Sequence, residues 1–201
     1  MRHSNQRRSG LGYGVIVIAV LFFAILFGFI FDLVLTQIEY AIYRKPTEYQ
    51  KFVTKYSTDF GVPENLVYAV IKTESNFDPA AISEDDAVGL MQITKDTFED
   101  IRDRIMNDGH MDAGMRYDPE TNIRYGVRYL SYLYDRFGHW DTAIIAYFEG
   151  ETRVAEWLKD KSLDPESDGL LNSVPSEYNG GKKYLKKVND SWEQYEKLYK
   201  K

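Results

Sequence analysis

The chain has 201 residues and a mass of 23.4 kDa, the size of roughly one domain. Its 25 basic and 31 acidic residues leave a net charge of −6, and an acidic chain repels a phosphate backbone, which argues against nucleic acid as a partner. It has no cysteine, which excludes disulfides, thiol nucleophiles, Cys-ligated metals and a lipoprotein-type anchor.

The mean hydropathy of −0.44 is an average over two unlike regions. From Ser9 to Phe31 no residue is charged, and Val15 to Phe31 is apolar throughout apart from Gly28. Such a stretch, as a helix, is about 34 Å long and crosses a ~30 Å hydrocarbon core. Arg2, Arg7 and Arg8 precede it with no acid among residues 1–10; the remaining 22 bases and 31 acids give the rest a net −9. By the positive-inside rule the N-terminus lies in the cytoplasm and the C-terminal domain outside the cell membrane. The apolar run exceeds a signal-peptide h-region, and bulky residues from Leu33 to Tyr40 stand where a small-x-small cleavage site belongs. We therefore expect a cytoplasmic tail at 1–10, a single-pass transmembrane signal anchor at 11–35 and a spacer at 36–47.

The remainder, 48–201, reads as one mainly α domain. Thr47 is placed to cap a helix running to about Phe60, with Gly61 as its stop. Pro63 starts the next, whose stripe Leu66, Val67, Val70 and Ile71 leads to Glu74, and Asn76-Phe77-Asp78-Pro79 ends it. A small irregular or β segment is expected near 80–92. Thr94 can cap a helix through Met106, and 107–117 is loop chemistry. Asp118-Pro119-Glu120 is an N-cap followed by proline at N1, opening a helix to Gly138. Short helices follow at about 141–148 and 152–159, then a loop to about 179 and a terminal helix from Tyr184 to Tyr199.

The three histidines are scattered, and no HExxH, GxSxG or Gly-rich phosphate loop occurs, so carboxylate chemistry is what remains. Glu74 lies three, four and eight residues after Ile71, Val70 and Leu66, which puts it on the apolar face of its own helix near the C-terminal end. Lost hydration and a partially negative helix terminus both raise a carboxyl pKa, the tuning a general acid needs at neutral pH. The alternative is a glutamate at a fraying helix end facing water.

Ile71-Lys72-Thr73-Glu74-Ser75-Asn76-Phe77-Asp78-Pro79 resembles the Glu-Ser motif of the soluble lytic transglycosylases, a lysozyme-like group related to goose-type lysozymes. Gly89-Leu90-Met91-Gln92-Ile93 is similar to that family's Gly-Leu-Met-Gln motif. Asp118 to Ile123 with Gly126, Tyr129-Leu130, Arg136-Phe137-Gly138, and Ala146 to Gly150 with Val154 and Trp157-Leu158 continue the likeness in order. Val174-Pro175 and Tyr184 to Val188 look like its closing tyrosine helix.

The resemblance spans about residues 50–198 and implies a lysozyme-like SLT domain behind one transmembrane helix. It implies cleavage of the β-1,4 bond between N-acetylmuramic acid and N-acetylglucosamine, with closure of a 1,6-anhydro ring. Glu74 would be the single acid and base, and no cofactor or metal is called for. Ser75, Gly89, Met91, Gln92, Tyr147, Phe148, Glu149 and Tyr184 would line or support the substrate site. In that role Ser75 bonds substrate or positions Glu74, and Gly89 lets backbone approach the glycan. Met91 packs on the sugar or under the catalytic helix, and the Gln92 amide bonds an acetamido group and a cleft carboxylate. The implied partners are peptidoglycan strands, the cytoplasmic membrane, and an envelope protein that recruits or restrains the enzyme.

Three features depart from the pattern. Phe148 and Glu149 stand where the family has asparagine and alanine, Thr152 replaces a frequent glycine, and Ser176 to Gly181 interrupts the approach to the closing tyrosine, leaving Tyr178 as a fallback for Tyr184. Two other functions stay open: a lysozyme-type muramidase using Asp78, Asp85, Asp86 or Glu149 to hold water, and a catalytically silent glycan-binding module.

Overall fold

The computed structural model describes residues 6–159 and 179–200. The chain divides into two compact units, Met1–Arg44 and Lys45–Lys201.

The first unit is one helix, α1 (Gln6–Ile42). Its portion Gly12–Ile42 is long and apolar enough to cross a membrane, judged by length and composition. The helix continues to Ile42, so the first seven residues of the stretch read as a spacer are helical. No glycine or proline interrupts 36–42; the chain leaves the helix only as it nears Pro46, which bars the preceding residue from helical backbone.

The second unit contains α2 (Thr47–Phe60), α3 (Glu64–Ser75), α4 (Lys95–Asp100), α5 (Pro119–Phe137), α6 (Trp140–Glu149), α7 (Glu151–Trp157) and α8 (Asn179–Leu198). A π-helical turn (Ile101–Met106) extends α4, and a 3-10 turn (Ala113–Tyr117) lies inside the expected 107–117 loop. Caps follow the sequence chemistry. The Thr94 hydroxyl accepts the Thr97 N–H, and the Asp118 carboxylate accepts the Thr121 N–H at 2.9 Å with Pro119 at the first helical position. Thr47 differs: it is the first helical residue of α2, and Pro46 occupies the cap.

α3 is the hub. Leu66 to Ile71 are all fully buried, because a helix apolar on every side must be enclosed on every side. α8 and α2 pack on α3, α5 packs on α2 and α6, and α6 packs on α8. Tyr195 of α8 is buried against Tyr68 of α3, with ring centroids 5.7 Å apart. Phe98 and Tyr125 stack at 4.2 Å where α4 meets α5. Between α3 and α4 the irregular segment forms isolated antiparallel bridges from Val88 to Ile82 and to Ile93, and the described residues include no strand. α8 begins five residues before its expected start, so Gly180 and Gly181 form its first turn. The expected loop at 160–178, with Val174-Pro175 and Tyr178, lies outside the described residues.

Candidate active site

Glu74 occupies the last turn of α3, which Asn76 closes in the left-handed conformation (φ 50°). A carboxyl here stands on a rigid buried helix while its head reaches the open end. Tyr184, from the second turn of α8, donates a 2.6 Å hydrogen bond to Oε1 of Glu74. Burial pushes the Glu74 carboxyl up to about 7, against the opposing pull of the Tyr184 hydrogen bond, which favours the carboxylate. Burial also holds the Tyr184 and Tyr147 hydroxyls well above their ordinary range, and the Glu74 charge adds to both. Both hydroxyls therefore keep their protons at physiological pH and act as hydrogen-bond donors.

The segment Ala87–Ile93 passes beneath the end of α3 and is pinned from three sides. Asn122 of α5, fully buried, accepts the Met91 N–H at 2.7 Å and donates to the carbonyls of Val88 (2.9 Å) and Arg116 (2.8 Å). The Ser75 hydroxyl reaches the Leu90 carbonyl at 2.9 Å and the Ile71 carbonyl at 3.2 Å. The Tyr147 hydroxyl donates to the Met91 carbonyl at 2.7 Å. Gly89 sits at φ +78°, and a Cβ there would lie 2.6 Å from the Asn122 amide nitrogen, so only glycine admits that side chain.

A cleft of about 370 Å³ opens beside Glu74. Its lining combines Ser83, Asp85, Ala87, Gln92, Ile93, Thr94 and Thr97 with Tyr129, Tyr147, Phe148, Glu149 and Gly150. Every charged lining residue is acidic. The Phe148 ring is 50% exposed and stacks on Tyr184 at 4.8 Å. Glu149 is buried to 9% exposure, with one oxygen accepting the Gly181 N–H at 2.8 Å and the other paired with Arg153 at 2.8 Å.

Of the residues singled out from sequence, the structure gathers Glu74, Gln92, Tyr147, Phe148 and Glu149 around the cleft, with Tyr184 bonded to Glu74. The remaining three serve the scaffold. Gly89 makes room for Asn122. Met91 is fully buried against Gly126 of α5. Ser75 ties α3 to the segment below it. Gln92 lines the cleft but spends its amide N–H groups on the carbonyls of Ala81 (3.1 Å) and Gly89 (2.9 Å), not on a carboxylate. Sequence reasoning missed Asn122 as the anchor of this segment; its signal was an amide one turn inside a capped apolar helix, a position that favours burial with partners. It also passed over Tyr129 and Thr97 as cleft-lining residues.

Comparison with known proteins bears on the fold and the family. The model of the transglycosylase SLT domain matches residues 51–168. The soluble lytic murein transglycosylase of Escherichia coli is 31% identical over 148 residues, covering 72% of this chain and 22% of that protein. The membrane-bound lytic murein transglycosylase C of Yersinia pestis is 36% identical over 95 residues, covering 47% of this chain and 26% of that protein. The chain thus spans about a quarter of the length of the curated relatives it matches. Among solved structures, the 70-kDa soluble lytic transglycosylase SLT70 of E. coli superposes with a TM-score of 0.69 at 28% identity, covering 78% of this chain and 25% of that one. An inactive glutamate-to-glutamine mutant of the lytic transglycosylase Slt of Pseudomonas aeruginosa gives 0.67 at 26% identity, with 78% and 25% covered. A match to the SLT domain model over more than half its length makes this chain a member of the transglycosylase SLT domain family.

Proposed function

We propose that this protein is a membrane-anchored peptidoglycan lytic transglycosylase with Glu74 as its one acid and base. The observation that carries the reading is the Glu74 carboxyl itself: at the mouth of a cleft, raised to about 7, and gripped by Tyr184. Protonated Glu74 gives its proton to the oxygen bridging N-acetylmuramic acid and N-acetylglucosamine as the C1–O bond breaks. The carboxylate so formed takes the proton from the sugar's C6 hydroxyl, whose oxygen closes on C1. Glu74 ends protonated, and no water is consumed. An internal hydroxyl needs no second carboxylate, since its effective molarity is on the order of 10⁵ M or more. Hydrolysis would need one, and both Glu149 oxygens are already engaged.

Phe148 offers a sugar face an exposed ring in place of the family's amide, and Gln92 and Tyr147 border the same space. The helix Gly12–Ile42 holds the domain at the outer face of the cytoplasmic membrane, with the arginine-bearing N-terminus inside. A tether of this kind restricts cutting to wall layers near the membrane, where an envelope partner can direct it. Digestion of peptidoglycan by the full-length chain in detergent, followed by mass analysis, tests the reading. Products one water lighter than hydrolytic muropeptides are expected, and reducing-end products would assign a muramidase instead, with Asp85 a cleft-lining candidate for holding water.

A further inference from the structure

We propose that Glu149 is a positioning residue: by anchoring the first turn of α8 it seats the Tyr184 hydroxyl on Glu74. The inference rests on Glu74 being the catalytic carboxyl.

Glu149 is the last residue of α6, and its side chain crosses to the start of α8. The Gly181 N–H, in the first described turn of that helix, donates to the Glu149 carboxylate. A carboxylate accepting a backbone N–H gains a charge-assisted hydrogen bond. Tyr184 follows three residues later, nearly one turn on, so the two positions share a face and move as one rigid piece. The neighbouring Phe148 holds the Tyr184 ring at 4.8 Å with planes 21° apart. Two consecutive residues of α6 thus grip α8, one through its backbone and one through the ring that carries the hydroxyl.

The glycines opposite are part of this latch. A Cβ on Gly181 would lie 2.8 Å from Glu149 Cγ and 3.0 Å from its Oε1; one on Gly180 would lie 3.1 Å from Phe148 Cε1. The two departures from the family pattern, Phe148-Glu149 and the segment ending in Gly180-Gly181, therefore meet in space and fit each other. The Tyr184–Glu74 bond at 2.6 Å leaves little slack, because an oxygen pair at 3.6 Å is no longer hydrogen-bonded.

The titratable groups facing Glu74 are Tyr184 from α8 and Tyr147 from α6; Asp85, Tyr129 and Glu149 share its cleft, and Arg153 from α7 faces Glu149. The test uses the full-length chain in detergent. The Glu74 pKa is read directly by carbon-13 NMR titration of labelled glutamate, and kcat against pH is measured in parallel. Glu149→Ala is expected to lower kcat at least tenfold and to raise the Glu74 pKa by half a unit or more, because the hydrogen bond that favours the carboxylate is loosened. Glu149→Gln keeps an oxygen for the Gly181 N–H and is expected to restore both values. Gly181→Ala keeps Glu149 but pushes it away, and is expected to reproduce the upward shift although alanine otherwise suits a helix. It also decides the matter should Glu149→Ala not fold. An unchanged Glu74 pKa in both Glu149→Ala and Gly181→Ala overturns the proposal, as does a Glu149→Gln variant as inactive as Glu74→Gln. Full turnover by Glu74→Gln would refute the catalytic assignment instead, while the NMR titration would still report whether the latch seats Tyr184.

Discussion

Tyr184 and Glu74, 110 residues apart in sequence, are joined by a 2.6 Å hydrogen bond in which the phenol donates and the carboxyl accepts. Two forces act on that carboxyl in opposite directions. Burial disfavours its charge and the phenol supports it; burial wins, and the group settles near neutrality at about 7. A carboxyl so balanced can give a proton and take one back within the same physiological range.

The first prediction is a pH profile. The acid form of Glu74 starts the reaction, so kcat/KM should fall as pH rises through about 7, tenfold per unit above it. Muropeptide release measured from pH 5 to 9 checks this, and a rate flat across the interval removes Glu74 as the acid.

Glu74→Gln should remove turnover, by at least a thousandfold, while stabilising the fold in alkali. A carboxyl whose folded pKa is raised contributes stability below its ordinary range near 4.5, and that contribution is lost as pH climbs to about 7. Above neutrality the buried charge costs on the order of 2–3 kcal/mol, which glutamine avoids while still accepting from Tyr184. Melting curves at pH 8.5 should place the variant roughly 5 °C above the parent, with the gap closing by pH 5.

Tyr184→Phe keeps the stack on Phe148 and deletes the donor. The Glu74 pKa should move upward, carrying the alkaline limb of the activity profile with it, and kcat should drop roughly tenfold or more. A downward shift would mean that water replaces the phenol.

Asn122→Ala strands the Met91 N–H and two carbonyls in a buried place. Each unsatisfied group costs roughly 1–3 kcal/mol, so a loss of about 3 kcal/mol or more is expected in urea unfolding. Gly89→Ala should behave alike, since its methyl would strike the same amide.

Membrane topology is readable because the chain has no cysteine of its own. With single cysteines at Ser4→Cys and Lys200→Cys, an impermeant maleimide added to intact spheroplasts should label the second and spare the first. The reverse pattern would place the domain in the cytoplasm.

Helix termini were legible one by one, since each depends on a few adjacent residues. Thr94 and Asp118 cap as their side-chain chemistry demands, and Asn76 stops α3 in a conformation asparagine tolerates. The start of α8 was misplaced by five residues: Gly180 and Gly181 are local breakers, yet packing against α6 carries the helix through them.

Local order in the chain settled the secondary elements, the apolar anchor-like helix, and Glu74 on the buried side of its own turn, because caps, periodicity and composition act over a few residues. Only the packed structure decided which partner Glu74 meets, that Met91 and Gly89 belong to the interior, and that Glu149 is tied to Gly181. Those outcomes depend on contacts between segments far apart in sequence, where the distance between two atoms follows from the packing of α3, α5, α6 and α8 and from no local pattern.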